Sequence, residues 1–208
     1  MNELLAVALI TLLAVISPGP DFAMVTRNSY AFGRRCGLLA ALGIACGVQV
    51  HVLYTVLGVA LVISHSPLLF MAMKLLGAGY LLWLGYKSLS NTTPLSLEAG
   101  GVGSPSGFGA FRTGFLTNAL NPKTMLFVVS AYTQVVQLGS SLVVDFAYGF
   151  FMSFAHWVWF SLVALFFSRE ALRRAMLARQ RVLDRVIGVA LIGLGVVVLF
   201  CGSGLLPR

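Results

Sequence analysis

The sequence predicts an all-α integral membrane protein of six transmembrane helices, built as a 3+3 inverted repeat with the first and fourth helices broken. Three observations carry that prediction. Of 208 residues, 59% are hydrophobic and 10% are charged, whereas a soluble domain carries about a quarter charged residues. The apolar residues gather into runs of about 20, the length that crosses a bilayer. Two proline breaks, Ser17-Pro18-Gly19-Pro20-Asp21 and Asn121-Pro122-Lys123, fall inside such runs. Proline removes a backbone donor and clashes with the preceding turn. In lipid, irregular backbone survives only where protein buries it or where it lines a wet cavity.

The first span is expected over residues 4–26 and contains the first break. Met1-Asn2-Glu3 ahead of it has no basic residue, so the run reads as a retained span rather than a cleaved secretory signal. The second span is expected over residues 38–62, and the third over 68–89 after Ser66-Pro67. The fourth, over 111–136, contains the second break; the fifth covers 142–167 and the sixth 186–206. Residues 90–109 are rich in Ser, Thr, Gly and Pro with Glu98 as the one charge, the composition of a flexible linker. The chain therefore reads as one transmembrane domain: a first repeat over about 1–89, the linker, and a second repeat over about 110–208.

Basic residues set the expected topology. Arg27, Arg34 and Arg35 follow the first span, Lys87 and Arg112 flank the linker, and Arg169, Arg173, Arg174, Arg179, Arg181 and Arg185 occupy a loop after the fifth. The loops near His65 and Gly139 have no Lys or Arg. The positive-inside rule puts the basic segments in the cytoplasm and both termini outside. Three spans per half then give the halves opposite orientation. The halves also align: Pro20-Asp21 with Pro122-Lys123, His51 with His156, and Lys74-Leu75-Leu76-Gly77 with Arg185-Val186-Ile187-Gly188. Inverted repeats with interrupted helices in corresponding places are a transporter architecture.

The breaks supply the candidate binding residues: Ser17, Pro18, Gly19, Pro20 and Asp21 in one, Asn118, Asn121, Pro122 and Lys123 in the other. A charge at mid-membrane costs about 2.5–3.5 kcal/mol on insertion scales and persists when it is paired or functional. Asp21 and Lys123 either bind the charged ends of a zwitterion or form a structural ion pair between the halves. A half-helix N-terminus offers unpaired N–H groups to a carboxylate. Asp21, His51 and His156 are the candidates for proton coupling, since histidine titrates near neutral pH; a bonded interface histidine is the alternative. Gln49, Tyr54 and Tyr148 are candidates for a polar path. Asp145 is expected near the outer end of the fifth span, in solvent. Gly43, Gly47, Gly188, Gly193 and Gly195 read as helix-packing positions, and Tyr80, Trp83 and Tyr86 as an aromatic belt.

Several function classes are disfavoured. The net charge of +8 sits in short segments between apolar runs, not on a basic face of a polar domain, so a nucleic-acid partner is not expected. Cys36, Cys46 and Cys201 fit neither a disulfide framework nor a zinc site and read as buried apolar fillers. No nucleophile elbow, zincin motif or phosphate loop is present, so neither an enzyme nor a cofactor nor a resident metal is expected.

Ile16-Ser17-Pro18-Gly19-Pro20-Asp21 resembles the first-helix motif of the LysE/RhtB amino-acid exporters. Gly33-Arg34-Arg35-Cys36-Gly37 with Ala41-Leu42-Gly43 and Gly47 is similar to that family's first cytoplasmic loop and second helix. Residues 114–123, Gly-Phe-Leu-Thr-Asn-Ala-Leu-Asn-Pro-Lys, resemble its fourth-helix signature, and Asp184-Arg185 the start of its last helix. The resemblance implies a multi-pass carrier of the bacterial inner membrane that exports small neutral amino acids (threonine, homoserine or derivatives) against protons. Membrane lipid would surround it, and a homodimer is plausible for so small a carrier. The alternatives are a related carrier for another cargo, such as a divalent metal ion through Asp21, His51 and His156, or a membrane protein that does not transport.

Overall fold

In a computed structural model, the described residues are 3–90, 92, 105–135, 141–167 and 169–202. They form eight helices and no strand: α1 (Glu3–Ile16), α2 (Pro20–Phe32), α3 (Arg34–His65), α4 (Pro67–Leu89), α5 (Gly107–Ala119), α6 (Pro122–Val135), α7 (Leu142–Phe167) and α8 (Glu170–Gly202). Both breaks are real. Residues 17–19 separate α1 from α2, with a bend of 55°. Leu120 and Asn121 separate α5 from α6. Most of the linker expected over 90–109 lies outside the described residues, and α5 already begins at Gly107.

Local chemistry explains these ends. Pro20 and Pro122 open α2 and α6, where a missing N–H is no loss. Asn121 Oδ1 accepts from the Lys123 amide at 3.0 Å and so caps α6. Ser66 and Ser106 accept from Leu69 and Gly109 amides at 3.2 and 3.0 Å, which caps α4 and α5. Between α2 and α3 the chain turns at Gly33, with φ of 88°, a region that favours glycine.

α3 and α7 are each long and apolar enough to cross a membrane alone, with mean hydropathy 1.9 over Arg34–Val59 and 1.6 over Leu142–Phe166. The bent α1–α2 pair passes the same test jointly. These helices are apolar on both faces. On α1, Val7, Ile10 and Ala14 are buried while Leu5, Leu9 and Leu12 are exposed. On α3 the exposed stripe is Val50, Leu53 and Leu57, and on α7 Phe150, Phe154 and Trp157. Continuous exposed apolar stripes of this kind mark a surface that faces lipid. The chain is a membrane protein.

Two buried clusters lie on either side of the first break. One joins α1 residues Val7, Ile10 and Ala14 to α3, α4, α6, α7 and α8, with Phe127 and Tyr132 as its large members. The other joins Val15, Phe22 and Val25 to α3 and α7. Close helix contacts use glycine. A Cβ on Gly43 would collide with the Phe111 carbonyl of α5, and one on Gly114 with the Ala40 carbonyl of α3. Gly85 of α4 and Gly188 of α8 meet in the same way: a Cβ on either would stand 2.8 Å from the other's carbonyl oxygen.

Four expectations are corrected. The arginine-rich stretch 169–185 is helical from Glu170 onward, as the first half of the 33-residue α8; it contains Ala, Leu, Arg, Met and Gln and no Gly or Pro, all of which favours helix. Asp145 is 4% exposed, not solvated, and Tyr132 Oη donates to its main-chain carbonyl at 2.7 Å. Cys36 is buried but Cys46 is exposed, on the outside of α3; the side chain of Cys201 lies outside the described residues. Gly193 meets nothing within 4 Å, so it is not a close-packing position.

Candidate functional site

The two breaks meet, and each charged residue is held by the opposite break. Asp21, in the first turn of α2, is 6% exposed. Its Oδ2 accepts from Asn118 Nδ2 at 2.8 Å, Asn121 Nδ2 at 3.2 Å and Thr124 Oγ1 at 3.5 Å. Lys123, in the first turn of α6, donates from Nζ to Ser17 Oγ at 2.8 Å, Ser17 O at 3.1 Å and Pro18 O at 3.2 Å. The carbonyls of residues 17 and 18 follow the end of α1, where no intrahelical donor remains and the helix dipole is negative. An ammonium suits them. Instead of the direct Asp21–Lys123 ion pair that was the alternative, each charge bonds to neutral groups of the other half, in a crossed clasp.

Two oxygens of that clasp have no partner among the described residues. Asp21 Oδ1 is buried without a hydrogen bond, as is Asn118 Oδ1. A cavity of about 20 Å³ adjoins Asp21 and is lined also by Ser17, Asn121, Lys123, Thr124, Phe127, His156 and Phe160. That is room for one water.

A larger cleft of about 390 Å³ opens on the other side of Lys123. It is lined by Ser17, Pro18, Gly19, Pro20, Asn121, Pro122 and Lys123 of the two breaks, by Tyr80, Trp83, Lys87 and Ser88 of α4, and by Asp184 of α8. Ser17, Gly19, Pro20, Asn121 and Lys123 line both cavities, whereas Asp21 and His156 line only the small one. Lys123 thus stands in the partition between them.

The histidines also cross over between the halves. His51 of α3 bonds through Nε2 to the Asn118 carbonyl at 2.9 Å, at the end of α5, and through Nδ1 to Tyr54 Oη at 2.6 Å. A carbonyl only accepts, so Nε2 carries a proton and donates to it. His156 of α7 donates from Nδ1 to its own Met152 carbonyl at 2.7 Å and faces the small cavity at the first break.

The other sequence candidates lie elsewhere. Gln49 Nε2 donates to Gly149 O at 3.2 Å and Ser153 Oγ at 2.5 Å, linking α3 to α7. Tyr54 is 41% exposed beside His51, and Tyr148 packs against the larger apolar cluster. None of the three lines either cavity. Among the described residues no three His, Cys, Asp or Glu side chains gather to hold a metal ion, which leaves the metal-cargo alternative without a ligand set.

Sequence reasoning missed part of the site. Thr124 touches Asp21, and its position beside Lys123 was the available signal. Tyr80, read as belt, donates to the Lys123 carbonyl at 3.3 Å. Trp83 carries the Lys87 ammonium 4.9 Å from its ring centroid, and both line the cleft. Asp184 is 3% exposed, and its carbonyl accepts from Ser88 Oγ at 2.8 Å. No local pattern distinguishes these last residues from topological charges.

Comparison with known proteins decides the family. The family model for LysE type translocators matches residues 12–202. The chain belongs to that family. LysE type translocators are transporters, so this chain is a transporter and not an enzyme. It is 30% identical to an uncharacterized membrane protein, YrhP, of Bacillus subtilis, over 94% of this chain and 98% of the relative. It is 29% identical to the threonine efflux protein of Escherichia coli, over 92% and 95%, and 30% identical to that of Salmonella typhi, over 91% and 94%. No solved structure matches the chain.

Proposed function

We propose that this LysE type translocator exports small neutral amino acids, of the threonine and homoserine class, across the bacterial inner membrane, with protons as the coupling ion. The crossed clasp carries the reading. It places an ammonium, a carboxylate and uncapped backbone at one point between the halves, beside a cleft of about 390 Å³. A zwitterion offers the charges that would exchange with those of the clasp. Threonine efflux proteins at about 30% identity over most of the chain support the substrate class.

Pairing α1 with α2 and α5 with α6 as two broken spans gives six spans, three on each side of the linker. The reciprocity of the clasp, and the placement of each histidine at the other half's break, favour an inverted repeat. On that reading Lys87 and Asp184 lie at the cytoplasmic end, by the positive-inside rule. The cleft then faces the cytoplasm, where an exporter loads, and both termini are periplasmic. Asp21 and His156 share a cavity with room for one water, which gives a short route for a proton between carboxylate and imidazole. A homodimer in lipid is part of the same proposal. The test is efflux of labelled threonine from cells that produce the chain: faster efflux than in cells without it is expected, and an unchanged rate at normal protein level refutes it.

A further inference from the structure

We infer that the three-oxygen cage formed by Ser17 Oγ, Ser17 O and Pro18 O is the binding site for the substrate's primary ammonium group, and that Lys123 occupies it as a resident stand-in while the transporter is empty. The inference rests on the amino-acid reading above and names the atoms that this reading leaves open.

The geometry is that of an ammonium site. An ammonium has three N–H donors and no acceptor. Nζ of Lys123 places them on three oxygens at 2.8, 3.1 and 3.2 Å. Gly19 keeps the approach open, since a Cβ there would stand 3.3 Å from Nζ. Interrupted helix ends in transporters receive cations at such carbonyls. Ser17 and Pro18 also line the larger cleft, so the cage is reachable from solvent once Lys123 leaves it.

Substrate binding is then an exchange of like for like. With all three donors committed to the cage, Lys123 has none for a carboxylate. An incoming amino acid puts its own ammonium on Ser17 and Pro18, and the released Lys123 donates to its carboxylate. No buried charge is left bare at either step. The exchange also moves the residue that partitions the two cavities, so occupation of the cleft opens the way to Asp21 and His156. A quaternary ammonium has no N–H to offer, and the cage excludes it.

The experiment uses the purified full-length protein in detergent and reads the thermal unfolding midpoint. Lys123→Ala empties the cage, and methylammonium chloride should then raise the midpoint saturably above the sodium chloride baseline. Tetramethylammonium should not, and the wild type should respond to neither. Adding Ser17→Ala to Lys123→Ala should weaken the methylammonium response by about tenfold or more, as expected for loss of one hydrogen bond to a charge. No response in Lys123→Ala, or an equal response in the wild type, overturns the inference. If Lys123→Ala does not accumulate, wild-type threonine transport is challenged with N-methylated and N,N,N-trimethylated threonine. Progressive loss of competition supports the cage, and equal competition by the trimethylated compound overturns it. A methylammonium response without any threonine transport supports the cage and sinks only the amino-acid reading.

Discussion

Replacing Asp21 by Asn and by Ala separates the charge of the clasp from its hydrogen bonds. Asp21→Asn keeps an oxygen where Oδ2 accepts from Asn118 and Asn121, at 2.8 and 3.2 Å. Those two bonds fall from charge-assisted to neutral strength, a loss of about 2 kcal/mol for the pair. Asp21→Ala removes the acceptor altogether. Asn118 is 0% exposed and Asn121 5%, and Asn118 Nδ2 retains Thr124 Oγ1 as an acceptor at 3.3 Å. Losing both hydrogen bonds to the carboxylate costs about 4 kcal/mol together. For a chain of this length each kcal/mol shifts the midpoint by about 2–4 °C. The expected falls are therefore about 4–8 °C for Asp21→Asn and about twice that for Asp21→Ala, read by thermal unfolding in detergent. Equal midpoints for the two variants would refute the reasoning. So would a rise in Asp21→Asn, because the desolvation of the carboxylate would then outweigh its bonds.

Three further outcomes follow from the packing and the orientation. Gly43→Ala should destabilise by about 2–3 kcal/mol, because its Cβ meets main-chain atoms of Phe111 and Phe115 that cannot yield locally; Gly58→Ala, with nothing within 4 Å, should be neutral or gain up to about 1 kcal/mol. Thermal midpoints of the pair decide it. Gln49→Ala should lower stability by about 0.6–1.7 kcal/mol, the range for hydrogen bonds between membrane helices, and leave the KM for threonine efflux unchanged. Lys87→Cys in intact cells should resist impermeant maleimides and react after the cytoplasmic face is exposed, while a periplasmic reporter fused at the C-terminus should be active; the reverse pattern would invert the topology.

The breaks were legible because proline acts on the backbone directly. Pro18, Pro20 and Pro122 cannot continue an apolar helix unaided, so their positions fixed where α1 and α5 end. Asp21 and Lys123 stood out by the cost of a charge in lipid. Their partners did not. Nothing local says that Lys123 reaches Ser17 rather than Asp21, because that depends on how the two broken spans cross. Tyr80 and Trp83 read as interface aromatics, since a cleft wall near a membrane surface has the same composition as a belt. The arginine-rich start of α8 has the charge of a cytoplasmic loop but the helix-forming residues, and the lack of Gly or Pro, of a helix. Asp145 read as solvated from its place near a helix end, and only the packed structure buries it.

Counterflow measures most directly whether a zwitterion binds at the crossed clasp. Purified protein in liposomes preloaded with unlabelled threonine should take up labelled threonine, saturably, and Asp21→Asn and Lys123→Met should abolish the exchange while still inserting as folded protein. Exchange at the wild-type rate in both variants would contradict the account.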